Sequence, residues 1–309
     1  MSMPIRIGTR DSRLALWQAT QVQQYLTSFG FQSVLTPIKS EGDIDLATPL
    51  YEMGVQGIFT RSLDIALLNN TIDIAVHSMK DVPTQLPKGI VQAAVLKRGP
   101  AHDLLVFKKD IGFLEDPQYP ARIATSSTRR MAQWLHKYPL HQIHNLRGNM
   151  QTRLQKLADA DWDAAIFAEA GLERIGLLPE KWMRLDWMLP APAQGAIMVV
   201  GRAGDEKTLN ACAHFNDEPT TTCAGIERSF LRSLLGGCST PVGALAERSG
   251  DTIYFKGNIL TPDGKQKTEI VKEASVGEAG SLGQTAAEEL LNNGGREIMQ
   301  LLKTQNKVS

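Results

Sequence analysis

Apolar and polar positions along this chain switch repeatedly between two periods, and the switching predicts its elements. IRIGTR (5–10) is a short run with β-branched residues and predicts a strand. Behind it, Leu14, Trp17, Val22, Tyr25, Leu26 and Phe29 recur at helical spacing. Ser12 suits the amino-terminal cap of that helix, and Gly30 stands where a glycine would release its carboxyl end. A strand over Val34–Ile38, a glycine-containing loop over Ser40–Gly57, a helix over Phe59–Leu68 and the apolar strand DIAVHS follow. Such alternation predicts a mostly parallel sheet with helices on both faces.

The pattern restarts near residue 103. LLVF, RIATSS, QIHNL and AAIFAEA predict strands, with helices over Thr128–His136 and Gln151–Ala158. KRGPAHD (Lys97–Asp103) suits a crossover hinge, and after LPAPAQGAIMVVGR the chain is expected to return to the first unit. From about Pro219 the character changes. A helix over Ala224–Leu235, a GGC loop, two strands about a TPDG turn and a last helix over Thr285–Leu302 predict a small α+β unit.

Composition narrows the class of function. The 309 residues exceed one small domain, and 42% hydrophobic with 21% charged residues is enough to build real cores. Lys+Arg and Asp+Glu both total 33, so no global basic field draws the chain to nucleic acid or a membrane. MSMPIRIGTR has no apolar leader, and no stretch approaches the roughly 18 apolar residues of a membrane span. Cys212, Cys223 and Cys238 form no CxxC pair, which suits reduced thiols in a cytoplasmic protein.

Within this neutral chain the arginines fall at expected strand ends. Arg10 closes the first strand, Arg129 and Arg130 follow ATSS, Arg147 follows HNL, Arg153 lies one helical turn on, and Arg174 follows FAEAG. Ligands of open α/β sheets bind beyond the carboxyl ends of strands, where helix amides and arginine forks match carboxylate or phosphate. Solvated charge or an interdomain salt bridge is the plain alternative for any single arginine; the set points to an anion pocket.

HSMKDVP puts Lys80 and Asp81 at another strand end. A carboxylate beside cations can move a proton or stabilise a developing cation, although an aspartate before Pro83 can simply start a turn. Cys238, in LRSLLGGCSTPVG, follows two glycines where a thiol could act as nucleophile or attachment point; a small residue packed under a loop is the bland reading. His77 reads as structural. His136, His141 and His144 lack a carboxylate or cysteine at ligand spacing, so no metal site is expected, and Walker A, GxGxxG and HExxH motifs are absent.

In order along residues 7–244 stand IGTRDSRLALWQ, DIAVHSMKDVPTQLP, IATSSTRR, NLRGNMQTRLQKL, AAIFAEAGLERIGL, LPAPAQGA and ERSFLRSLLGGCSTPVGA. Together they strongly resemble the hydroxymethylbilane synthase (porphobilinogen deaminase) family, and AEELLNNGGREI extends the resemblance over nearly the whole chain. The resemblance implies an α/β fold of two type-II periplasmic-binding-protein-like domains, 1–98 with 194–217 and 103–191. It adds a small α+β domain over 219–309. It implies a dipyrromethane cofactor held by a thioether to Cys238, with Asp81 the catalytic aspartate. By the same resemblance Lys80, Asp81, Ser127, Arg129, Arg130 and Arg153 bind cofactor, and Arg10, Ser12, Arg147, Arg153 and Arg174 bind substrate. The implied substrate is porphobilinogen, four molecules being condensed with loss of ammonia before hydrolysis frees a linear tetrapyrrole. Asp81 would assist ammonia loss and stabilise the resulting azafulvene cation. No nucleic acid, membrane or metal is expected, and the implied oligomeric state is a monomer.

The chain departs from the family pattern in places. EMGVQGIF puts Glu52 and Gln56 where lysines are usual, Leu235 stands for an acidic residue before GGC, Cys223 for an arginine, and Thr128 for a leucine. Two rivals explain part of the pattern: a non-enzymatic α/β clamp for a small carboxylate or other anion, and an acyltransferase using Cys238. The clamp leaves GGC and HSMKD without a role, and the acyltransferase lacks a placed histidine.

Overall fold

The computed structural model describes residues 3–39, 60–234 and 240–305. The expected loop over 40–57 with Glu52 and Gln56, and Leu235 and Cys238, lie outside the described residues.

The first sheet has strand order β2-β1-β3-β10-β4. Its strands are β1 (Ile5–Arg10), β2 (Ser33–Ile38), β3 (Ile74–Ser78), β4 (Ile90–Leu96) and, returning from far along the chain, β10 (Ile197–Arg202). β1 runs parallel to β2 and β3, whereas β10 runs antiparallel to both β3 and β4. The sheet is mostly parallel as expected: β1, β2, β3 and β4 share one direction and β10 is reversed among them, supplied by the second crossover. α1 (Arg13–Ser28) starts at Ser12, whose hydroxyl accepts from the Ala15 amide, and packs Ala19, Val22 and Leu26 against one face. α2 (Arg61–Leu68) packs Leu63 and Leu67 against the other.

The second sheet repeats the plan, in the order β7-β6-β8-β5-β9. It contains β5 (Asp103–Phe107), β6 (Arg122–Ala124), β7 (Gln142–His144), β8 (Ala164–Ala168) and β9 (Trp182–Arg184), with β5 antiparallel to its neighbours. α3 (Thr128–Lys137) and α4 (Met150–Asp159) cover opposite faces, Trp134 of α3 on one and Leu157 of α4 on the other. AAIFAEA is strand only as far as Ala168; Glu169–Glu173 is the short helix α5.

After β10 come α6 (Glu206–Ala213) and α7 (Glu218–Ser233). α7 begins six residues before the expected Ala224, because Asp217 accepts from the Thr220 amide and Pro219 fits the first turn. The carboxyl-terminal sheet has three strands rather than two, β11 (Val242–Ser249), β12 (Thr252–Leu260) and β13 (Lys267–Ser275), all antiparallel. The expected last helix is two, α8 (Ala279–Leu290) and α9 (Arg296–Gln305), separated where Asn293 and Gly294 leave helical backbone angles. Phe230, Phe255, Ile259 and Leu290 centre this unit's core.

Two crossovers join the α/β lobes, and they lie against each other. The Gly99 amide donates to the Gly195 carbonyl at 3.1 Å. Gly195 has φ +84°, and a Cβ there would stand 2.6 Å from the Gly99 oxygen, so only glycine permits the approach.

Candidate functional site: a cationic cleft at the hinge

From the first lobe, β3 is followed by a single 3-10 turn, Met79–Asp81, which buries Met79 and leaves Lys80 and Asp81 half-buried. The turn is held from α7. Arg228 donates to the carbonyls of Met79 (3.2 Å), Val82 (2.8 Å) and Pro83 (2.7 Å), so the helix leading to the cysteine segment is docked directly on HSMKDVP. Lys80 Nζ donates to Gln194 Oε1 at 3.2 Å. Burial pulls the Lys80 ammonium down to about 8; Arg130 and Arg129 act in the same direction, against Asp81 and Asp103.

From the second lobe, Ser127 caps α3 and accepts from the Arg130 amide at 3.4 Å. That cap places Arg129 and Arg130 in the first turn, and both are buried. Arg129 donates to Asp103 Oδ2 at 2.7 Å and to the Leu189 carbonyl at 2.6 Å. Arg130 donates to Asp103 Oδ1 through Nη2 (2.7 Å) and Nε (3.2 Å), and to the Ile166 carbonyl at 2.9 Å. Burial alone would push the Asp103 carboxyl up, but the two guanidiniums outweigh it and hold the group well below the usual carboxylate range. Arg153, in the first turn of α4, donates to the Gly148 carbonyl at 2.7 Å. Burial, then Arg130 and Arg147, lowers it to about 10, with Asp81 opposing and Arg10 contributing from the first lobe.

The expected residues therefore divide. Arg10, Lys80 and Asp81 of one lobe share an electrostatic neighbourhood with Arg129, Arg130, Arg147 and Arg153 of the other. Ser12 and Ser127 act as helix caps beside it. Arg174 is placed differently from its strand-end expectation: it is the carboxyl-terminal cap of α5, donates to the Gly195 carbonyl at 2.6 Å and lies over the Trp17 ring at 5.5 Å. Its guanidinium, lowered by burial to about 10, spans the hinge.

Sequence reasoning missed Asp103, Gln194, Arg98, Glu227 and Arg228. Glu227, completely buried on α7, accepts from Arg98 at 2.6 and 3.0 Å and from the amides of Ala193 and Ala246 at 2.6 and 2.7 Å. It thereby ties both crossovers to the carboxyl-terminal sheet. The ERS of ERSFLRSLLGGC was the available signal, two charges inside an apolar helix. Cys212 and Cys223 are buried, with burial pushing their thiols up to about 12 and about 11. His77 is buried with no partner for Nε2, and burial beside Arg10 lowers it to about 4.

The donor set suits a polycarboxylate. It is almost wholly cationic, it approaches from both lobes, and the buried Nε of Arg129 has no hydrogen-bond partner. Dipyrromethane, bearing an acetate and a propionate on each ring, fits such a set. Among the described residues no group of His, Cys, Asp and Glu could hold a metal ion, and no helix is long and apolar enough to cross a membrane.

These features define a two-lobed α/β protein joined by two crossovers, with a cluster of cationic side chains drawn from both lobes and an attached α+β unit. The family model "Porphobilinogen deaminase, dipyromethane cofactor binding domain" matches residues 5–210, and "Porphobilinogen deaminase, C-terminal domain" matches 221–292. The chain is 41% identical to the porphobilinogen deaminase of Syntrophotalea carbinolica, covering 97% of this chain and 96% of that protein. It is 43% identical to the probable porphobilinogen deaminase of Methanocaldococcus jannaschii over 84% of this chain and 89% of that protein. An ancestral cationic amino acid solute binding protein superposes with TM-score 0.43 at 16% identity, over 69% of this chain and 87% of that one. The chain belongs to the porphobilinogen deaminase family, and its cofactor is dipyrromethane.

Proposed function

We propose that this chain condenses four porphobilinogen molecules in turn on a dipyrromethane primer, with loss of ammonia at each step, and then releases linear hydroxymethylbilane by hydrolysis. The observation that carries the reading is the meeting of Asp81 with a cation cluster drawn from both lobes. The family membership gives a non-enzymatic clamp no support.

When bound, the primer supplies a nucleophilic pyrrole α-carbon. Lys80, Arg129, Arg130 and Arg153 are assigned to its carboxylates, and Arg10, Ser12, Arg147 and Arg174 to those of the incoming substrate. Arginine forks fix orientation as well as charge, which a growing chain of carboxylated rings demands. Asp81, held on its turn by Arg228 through the neighbouring backbone, is assigned the acid–base work of ammonia loss and stabilisation of positive charge on the substrate pyrrole. Cys238 is assigned the thioether anchor. Its supporting observation is indirect: α7, which runs to the GGC segment, is docked on the turn that carries Asp81. Three separate sheets support the division into 1–98 with 194–217, 103–191, and 219–309. The same reading makes the protein a cytoplasmic monomer.

Denatured intact mass, measured before and after incubation with porphobilinogen beside a Cys238→Ala control, tests the proposal. Expected is an increment of two porphobilinogen units less two ammonias, absent from the control, followed by steps of single deaminated units. A bare-chain mass after incubation rejects it.

A further inference from the structure

Asp103 stands where the first crossover becomes β5, and its carboxylate is completely buried. Both oxygens are engaged. Oδ2 accepts from Arg129 at 2.7 Å; Oδ1 accepts from Arg130 at 2.7 and 3.2 Å and from Gln194 Nε2 at 2.9 Å. Gln194, in the second crossover, is itself fixed by the Ala101 carbonyl at 2.8 Å and accepts from Lys80. A continuous polar chain thus runs from Lys80 in the first lobe, through two hinge residues, to Arg129 and Arg130 in the second.

We infer that Asp103, acting with Gln194, is a positioning residue: it sets the spacing between Lys80 and the Arg129–Arg130 pair, and hence the spacing of carboxylates the cleft accepts. The inference rests on the functional reading above and deepens it. Charge neutralisation alone would need no such geometry. Arg130 spends Nε and Nη2 on one Asp103 oxygen and Nη1 on the Ile166 carbonyl, so its plane is fixed, whereas Arg129 keeps a buried Nε without a partner. The two roles predict opposite signs. Removing a negative charge makes the cleft more positive, which by charge alone favours carboxylates; removing a positioner leaves two guanidiniums each held by a single backbone carbonyl and weakens the grip despite the extra charge.

The test compares wild type with Asp103→Asn, Asp103→Glu and Asp73→Asn. Asp73 pairs with Arg6 and Arg202 at the opposite end of β3, so its variant loses a comparable ion pair away from the cleft. The readouts are the fraction carrying cofactor by denatured intact mass, and kcat and KM. Expected is a loading rate for Asp103→Asn lower by roughly tenfold to a hundredfold, a misplacement of about an ångström being enough, with a raised KM. Asp103→Glu, which keeps the charge but moves it, should also load slowly, and Asp73→Asn should load as wild type. Wild-type protein that acquires no cofactor rejects the functional reading itself. With wild type loaded, normal loading in Asp103→Asn or a lowered KM overturns the positioning role. Should Asp103→Asn fail to fold, normal loading and KM in Asp103→Glu overturn it equally.

Discussion

Replacing Arg228 with methionine keeps the apolar stem and removes three hydrogen bonds to the Lys80–Asp81 turn. The Met79 carbonyl retains a partner, because it also accepts from the Val82 amide at 3.2 Å. The Val82 and Pro83 carbonyls lose theirs. Leaving a buried polar group unpaired costs about 1–3 kcal/mol, and water can reach part of this interface, so we expect about 2–4 kcal/mol of destabilisation. The larger consequence is kinetic. Ala224 of α7 still packs in one core with Met79 and Val82, but the polar grip on the turn is lost, so Asp81 should drift relative to the arginines across the hinge. A drift of about an ångström costs up to roughly a hundredfold in kcat. The hydrogen bonds removed go to backbone carbonyls of the turn, so KM should change much less than kcat. Urea unfolding gives the stability change, and initial rates of tetrapyrrole formation on fully loaded enzyme give kcat and KM. A variant that is destabilised but keeps wild-type kcat would refute the link between α7 and Asp81. Loss confined to KM would place Arg228 in substrate binding instead.

Reconstitution of cofactor-free protein with porphobilinogen should slow as pH rises through about 8, because Lys80 is charged below that value and neutral above it in the empty cleft; Lys80→Met should be slow throughout and lack the inflection when loading is followed by mass. Gly264→Val should destabilise by about 2 kcal/mol or more in urea unfolding, since a Cβ there would meet the His136 amide nitrogen at 2.4 Å at a φ of +71°. Native alkylation at neutral pH should leave Cys212 and Cys223 unlabelled, their buried thiols lying at about 12 and about 11, with both becoming reactive in denaturant.

How much of this was readable beforehand depended on the range of the interaction. Local signals did well: Ser12 caps its helix, Arg10 ends its strand, and Lys80 and Asp81 stand on the turn just after theirs. The strand-end arginines were legible as a set because helix caps and strand termini are written within a few residues; Arg10, Arg130 and Arg147 do act on Arg153, whereas Arg174 caps α5. What failed was pairing between distant segments. Arg129 and Arg130 looked free to meet a ligand, but Asp103 lies 26 and 27 residues away, and its role shows only when β5 is inserted antiparallel beside β8. Arg174 looked like a strand-end arginine because FAEAG hides the short helix α5. PVGALAERS was not recognised as β11, whose interior face is nearly all alanine and valine. The final helix was read through its break because Leu290, Leu291 and Ile298 keep an apolar pattern across it.

The residue types in the cleft follow from its crowding. Packing several cations together in a partly dry site lowers the pKa of each, since burial and like charge both disfavour the charged form. Lys80 is brought to about 8, within reach of physiological pH, and stays useful beside Asp81 and Asp103. An ordinary lysine at the position of Arg153 would start about two units lower than arginine and meet the same burial and the same neighbours, Arg130 and Arg147. It would spend much of its time neutral, and a neutral amine cannot hold a carboxylate. Arg153, lowered by a similar environment, still lies at about 10 and remains charged. A cleft that must accept an expanding polyanion therefore needs arginine wherever cations face cations, and can use lysine only where a carboxylate is close at hand. Lys80 fits this, being next to Asp81 and linked through Gln194 to Asp103; Arg153 has Asp81 as an opposing neighbour against Arg130, Arg147 and Arg10, and there arginine stays charged where lysine would not.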